Sequence, residues 1–129
     1  MQNDVLEGIR LSPQQKQIWL LEQSHRSLAY KAQCAILLEG NLDVNVLKRS
    51  LDLIVERHSI LRTTFHDVPG IILPIQVATQ HSSIDWREIE LQVNGRDLDA
   101  TIDDLIRQES SFQFDFQRGP ILRPCLCRL

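Results

Sequence analysis

No stretch of this chain approaches the roughly 20 consecutive apolar residues that a membrane-spanning helix needs. Met1-Gln2-Asn3-Asp4-Val5-Leu6-Glu7-Gly8 has neither a basic start nor an apolar run, so it does not read as a secretory signal. The two absences predict a soluble, cytoplasmic protein with no membrane partner. Cysteine is scarce. Cys34, Cys125 and Cys127 are an odd number without metal-ligand spacing, which excludes a disulfide framework and fits a reducing compartment. Basic excess is missing as well. Fourteen Lys and Arg face 17 Asp and Glu for a net charge of −3, and the cations are scattered, which argues against a nucleic-acid partner. There is no Gly-rich phosphate loop, no glycine elbow around a serine, no paired-carboxylate signature and no metal site. Internal repeats, low-complexity segments and flexible linkers are also absent.

What remains is a chain of 129 residues with ordinary globular composition, 43% hydrophobic and 24% charged. That length fits one domain or one lobe of a larger one. Ser12-Pro13-Gln14-Gln15 reads as a helix start: Ser12 as N-cap, Pro13 in the first turn, Gln15 closing a capping box. Ile18-Trp19-Leu20-Leu21 is apolar around much of the circumference and predicts a largely buried helix that fades near Ser24–Ser27. Gln33–Glu39 alternates with apolar residues on both faces and predicts a central strand. Asp43 can cap a second helix, whose stripe runs Val44, Leu47, Leu51, Ile54, His58, Leu61. Lys48 and Arg49 read as its solvated face.

Thr63-Thr64-Phe65 favours a strand, Asp67-Val68-Pro69-Gly70 a turn, and Ile71–Ala78 an antiparallel return with Pro74 at an edge or bulge. Ile84-Asp85-Trp86 is a short strand candidate, His81-Ser82-Ser83 a polar loop, and Val93-Asn94-Gly95-Arg96 a loop with a turn signal. A helix from about Asp97 places Leu98, Ile102, Leu105 and Ile106 inward, and Asp99, Asp103, Arg107 and Gln108 outward. Phe112, Phe114 and Phe116 alternate along an extended segment and read as core anchors. Gly119-Pro120 breaks it, and Ile121–Leu129 reads as a last strand with Cys125 and Cys127 on one face. The predicted fold class is α+β, helices packed on a mixed β-sheet. A strand running apolar to the final residue suggests that the end is imposed rather than natural.

The sharpest candidates for chemistry are Arg57, His58 and Arg62. His58 and Arg62 are neighbours if the helix continues that far. One reading makes the arginines complements of the helix terminus and His58 a hydrogen-bonded core histidine. The other turns Arg62 inward onto a carboxylate, where a bidentate guanidinium is well suited.

Three segments carry a family resemblance. Leu11–Leu21 resembles the first motif of non-ribosomal peptide synthetase condensation domains, Ser-x-x-Gln-x-x-x-Trp with apolar flanks. Arg57–Phe65 resembles the second, Arg-His-x-x-Leu-Arg-Thr-x-Phe. Phe114–Arg123 resembles Phe-Asp-x-x-x-Gly-Pro-x-x-Arg, which precedes the family's catalytic motif. That motif, His-His-x-x-x-Asp-Gly, does not occur: His25, His58, His66 and His81 are never adjacent.

The resemblance implies one lobe of a chloramphenicol acetyltransferase-like fold, with residues 1–10 a lead-in and 11–129 the first part of a condensation domain. It implies an amide-forming reaction between a donor thioester and an acceptor amine. Both ride on phosphopantetheine arms of carrier domains, with no cofactor bound directly. It also implies active-site support from Arg62, His58 and Arg57, and a donor-side helix carrying Ser12, Gln15 and Trp19. The chain alone is expected to be inactive, to pair with the remaining lobe and to self-associate without it. The alternative is a non-catalytic module that docks carrier proteins.

Overall fold

The computed structural model describes residues 8–25, 30–80, 84–92 and 97–128. The expected lead-in at 1–7, polar loop at 81–83, turn at 93–96 and final strand residue lie outside them. The elements in order are β1 (Ile9–Arg10), α1 (Pro13–His25), α2 (Val44–Arg57), a 3-10 turn (Ser59–Arg62), β2 (Thr63–His66), β3 (Ile75–Ala78), β4 (Arg87–Glu90), α3 (Leu98–Ser111) and β5 (Cys125–Arg128). This is the expected α+β class. The strands form two sheets, an antiparallel one ordered β1-β3-β2 and a parallel pair β4-β5.

Local chemistry sets the helix ends as read. Ser12 N–H donates to Gln15 Oε1 at 2.8 Å and Gln15 N–H to Ser12 Oγ at 3.2 Å, a reciprocal capping box. Asp43 Oδ1 accepts from the Asn45 and Val46 amides, and Asp97 Oδ1 from the Asp99 amide. The hairpin also forms as read. β2 and β3 pair from Thr63↔Ala78 to His66↔Ile75, so Pro74, which has no N–H to give, stands just outside the ladder. Gly70, at φ +83°, makes the turn.

Strand β1 has no counterpart in the sequence pattern. It pairs Ile9↔Gln76 and Arg10↔Ile75 on the free edge of β3. Gly8 permits this approach, because a Cβ there would meet Ile75 Cβ at 3.0 Å and Cγ1 at 2.9 Å. Gly8→Ala is therefore expected to destabilise the chain by about 1–3 kcal/mol through overpacking, measured by urea denaturation.

Several expectations need correction. Gln33–Glu39 forms no strand: among the described residues it has no ladder partner, and Ile36 and Leu37 stand 75% and 74% exposed. Alternation reports side-chain pattern, whereas a strand also requires a neighbour. Helix α1 is not largely buried, since Ile18 and Leu20 are exposed and only the Gln15–Trp19 side packs inward. On α2 the buried line is Val44, Leu47, Leu51 and Val55, leaving Ile54 and His58 exposed. The helix stops at Arg57 and His58 turns extended at φ −110°, so the helical period that placed His58 and Leu61 in one stripe ends there. The short strand falls at Arg87–Glu90 rather than 84–86, and β5 is confined to Cys125–Arg128. Phe116 opens a turn instead of continuing the extended run.

Candidate functional site: an aromatic junction beside Arg62

The three motif segments meet in one place. Trp19 from α1, Phe65 from β2 and Phe116 from the turn after α3 form a triangle of rings. The centroids are 5.7 Å apart for Trp19–Phe65, 5.9 Å for Trp19–Phe116 and 6.0 Å for Phe65–Phe116, the last edge-to-face. The backbone reinforces the junction, with Phe65 N–H donating to Phe116 O at 2.7 Å. Asp115 shapes that turn: its Oδ1 accepts from the Gln117 and Arg118 amides, and its carbonyl from the Gly119 amide. Gln15 joins α1 to the sheet through Nε2 donation to Gln76 Oε1 at 2.9 Å.

Arg62 ends the 3-10 turn next to this junction and is part-buried. Its Nη1 donates to Thr79 O, its own carbonyl accepts from Thr79 N–H and Oγ1, and its Nε is buried without a partner. Among the described residues its partner is a carbonyl, not the expected carboxylate. His58 is no helical neighbour of Arg62, since the helix has ended, and it is exposed rather than a core histidine; Arg57 is exposed too. The polar groups buried here are Thr63 and Thr64, each 6% exposed, which the sequence marks only as strand formers. Thr63 Oγ1 donates to Ser59 O at 2.8 Å, tying the 3-10 turn to β2. Thr64 Oγ1 lies 2.8 Å from His66 Nε2 and donates to Val77 O.

A second polar centre was missed. Glu109, on the inward row of α3 after Ile102 and Ile106, binds Arg123 Nη1 at 2.6 Å and Arg87 Nη1. Arg123 also reaches Asp85 and lies over the Phe112 ring, 3.8 Å from its centroid. Phe112 in turn packs edge-to-face on Phe114 at 5.2 Å. These residues, with Lys31, Ala32, Gln33 and Ser110, line a cleft of about 430 Å³. The signal was available in the sequence, because Glu109 is the one charged member of an otherwise apolar helical row.

Lys48 corrects the solvated-face reading. Its Nζ contacts Glu88 at 2.6 Å and lies 5.2 Å from the Trp86 ring centroid, joining α2 to β4. The hydrogen bond from Lys48, then that from Trp86, holds the Glu88 carboxyl below its ordinary value. A depressed folded pKa means that the tie is present above the unfolded value, about 4.3 for glutamate, and is lost as pH falls through the folded value. Acid titration is expected to change Trp86 emission below about pH 4, and Glu88→Gln to abolish that step.

Chemically, the junction can bind and position. Among the described residues no group of three or more His, Cys, Asp or Glu is arranged to hold a metal ion, and no helix is long and apolar enough to cross a membrane.

With this geometry in hand, the comparisons with known proteins converge. The Condensation domain profile matches residues 5–129. One of the linear gramicidin synthase proteins of Brevibacillus parabrevis is 35% identical over 122 residues, spanning 90% of this chain and 2% of that protein. Surfactin synthase subunit 2 of Bacillus subtilis (strain 168) is 32% identical over 120 residues, 92% of this chain and 3% of that protein. Among solved structures, the starter condensation domain of rhizomide synthetase superposes with a TM-score of 0.75 at 19% identity, covering 94% of this chain and 27% of that one. The epimerization domain from the third module of tyrocidine synthetase B gives 0.72 at 23% identity, covering 94% and 27%. The architecture is thus that of condensation domains, of the chloramphenicol acetyltransferase-like fold. The chain belongs to the Condensation domain family. It spans 2–3% of the length of these peptide synthetases.

Proposed function

We propose that this chain is the first part of a condensation domain that joins a carrier-bound donor acyl or peptidyl thioester to a carrier-bound acceptor amine. The amine nitrogen attacks the thioester carbonyl, an amide C–N bond forms, the C–S bond breaks, and the donor carrier's phosphopantetheine leaves as thiol with the amine's proton. No step of this exchange falls to a side chain of residues 11–129. The doubled-histidine motif lies outside the sequence, and the chain's part is architectural. Arg62 supports the active site from the junction. Arg57 and His58 stand on the surface beside it, toward the remainder of the domain. Ser12, Gln15 and Trp19 fix the helix on the donor side. The observation that carries the reading is the meeting of Trp19, Phe65 and Phe116, one ring from each of the three motifs.

The surface supports the same reading. Among the described aliphatic and aromatic side chains only Val55 is fully buried, while Ile36, Leu37, Val46, Leu53 and Ile72 are open to solvent. The remainder of the condensation domain covers this apolar area in the whole protein. Without it, copies of the chain cover one another. Sedimentation equilibrium is expected to show a mass that rises with concentration, and a monomer across a wide concentration range would contradict the covering role. Incubated with an aminoacyl carrier and an acyl carrier, the chain alone is expected to form no amide. Turnover by the isolated chain would overturn the architectural assignment.

A further inference from the structure

We infer that Cys125 and Cys127 form a two-thiolate chelate for a thiophilic divalent cation of the zinc–cadmium class, a site separate from the aromatic junction. The two residues alternate along β5 and so face the same way. Their sulfurs converge to 3.8 Å. Two metal–sulfur bonds of ~2.3 Å meeting at a tetrahedral angle place their sulfurs ~3.8 Å apart. The pair therefore already has the bite that such a cation requires, and water can fill the other two positions. Both side chains are half-buried rather than sealed, which leaves a path for the ion.

The ladder fixes the neighbours: Arg87 stands opposite Cys125 and Ile89 opposite Cys127. Burial, then the hydrogen bond with Cys125, pushes the Cys127 thiol up to about 11, with Glu109 of α3 acting in the same sense and Arg87 of β4 against it. Without metal the pair is thus protonated near neutral pH and slow to react. Binding forms two S–metal bonds, breaks two S–H bonds and releases two protons to solvent. The apparent affinity is accordingly expected to rise by about a hundredfold per pH unit below the thiol pKa values.

The test is a titration of the full chain with cadmium chloride, in a phosphine reductant, followed by the ultraviolet thiolate-to-cadmium charge-transfer band. One equivalent is expected to saturate the band in the native chain and in Cys34→Ser, and the band to be lost in Cys125→Ser and in Cys127→Ser. A band that follows Cys34, or no band, would overturn the site. An independent reading needs no variant. Cadmium is expected to slow iodoacetamide labelling of Cys125 and Cys127 at least tenfold, scored by peptide mass, while the exposed Cys34 labels at an unchanged rate. Equal slowing at all three cysteines, or none, would count against the chelate.

Discussion

Replacing Glu109 with alanine is expected to cost about 3 kcal/mol of unfolding free energy. The carboxylate bridges Arg123 and Arg87, and the Arg123 and Glu109 side chains keep only 14% and 17% of their surface exposed. Deleting the acid leaves the Arg123 cation half-desolvated, held only by Asp85 and the Phe112 ring, so the loss exceeds the worth of the contact itself. Arg87 is more open, at 36%, and can recover hydration, which keeps the cost at the lower end of the range for broken buried pairs. The effect is also topological: Glu109 is on α3, Arg87 on β4 and Arg123 just before β5, so one side chain ties the crossover helix to both strands of the parallel pair. The exposed pair Asp104–Arg107 is the control. Asp104→Ala is expected to change stability by no more than about 0.5 kcal/mol, as surface ion pairs do. Urea denaturation of both variants checks the contrast, and equal effects would remove Glu109 from its bridging role.

Trp19→Ala is expected to cost about 3 kcal/mol, because it removes the ring shared by two of the three contacts at the junction. Trp19→Phe keeps an aromatic face and is expected to lose less than half as much. The sharper readout is a double-mutant cycle with Phe65→Ala. Rings in contact couple by about 1 kcal/mol, whereas Trp19 and Phe114, which packs on Phe112 instead, are expected to be additive within about 0.5 kcal/mol. Additivity of Trp19 with Phe65 would mean that the rings share a core without depending on each other.

Which parts of this could be read from the sequence follows from how far each interaction reaches along the chain. The caps at Ser12, Asp43 and Asp97 were legible because donor and acceptor lie within three residues of each other. The β2–β3 hairpin was legible because β-branched residues, Pro74 and Gly70 carry its register locally. Gln33–Glu39 misled because pairing is non-local, and the pattern of a strand does not supply its neighbour. His58 misled because the helix ends one residue before it, and the phase of the stripe cannot be extrapolated past a cap. The candidate site divides in the same way. Ser12, Gln15 and Trp19 stood out in one motif, and Arg62 and Phe65 in another, but that their elements converge with Phe116 is a tertiary fact. The Glu109–Arg123–Arg87 centre left only one trace, a carboxylate on an apolar row.

The most direct measurement of the central claim is a graft. Residues 5–129 would replace the matching segment of a condensation domain in surfactin synthase subunit 2, and amide formation between carrier-bound substrates would be followed by mass spectrometry. The account predicts that the chimera turns over, that Arg62→Lys lowers its rate at least tenfold with the fold intact, and that Asp104→Ala does not. A folded chimera that forms no amide, or one indifferent to Arg62, would contradict it.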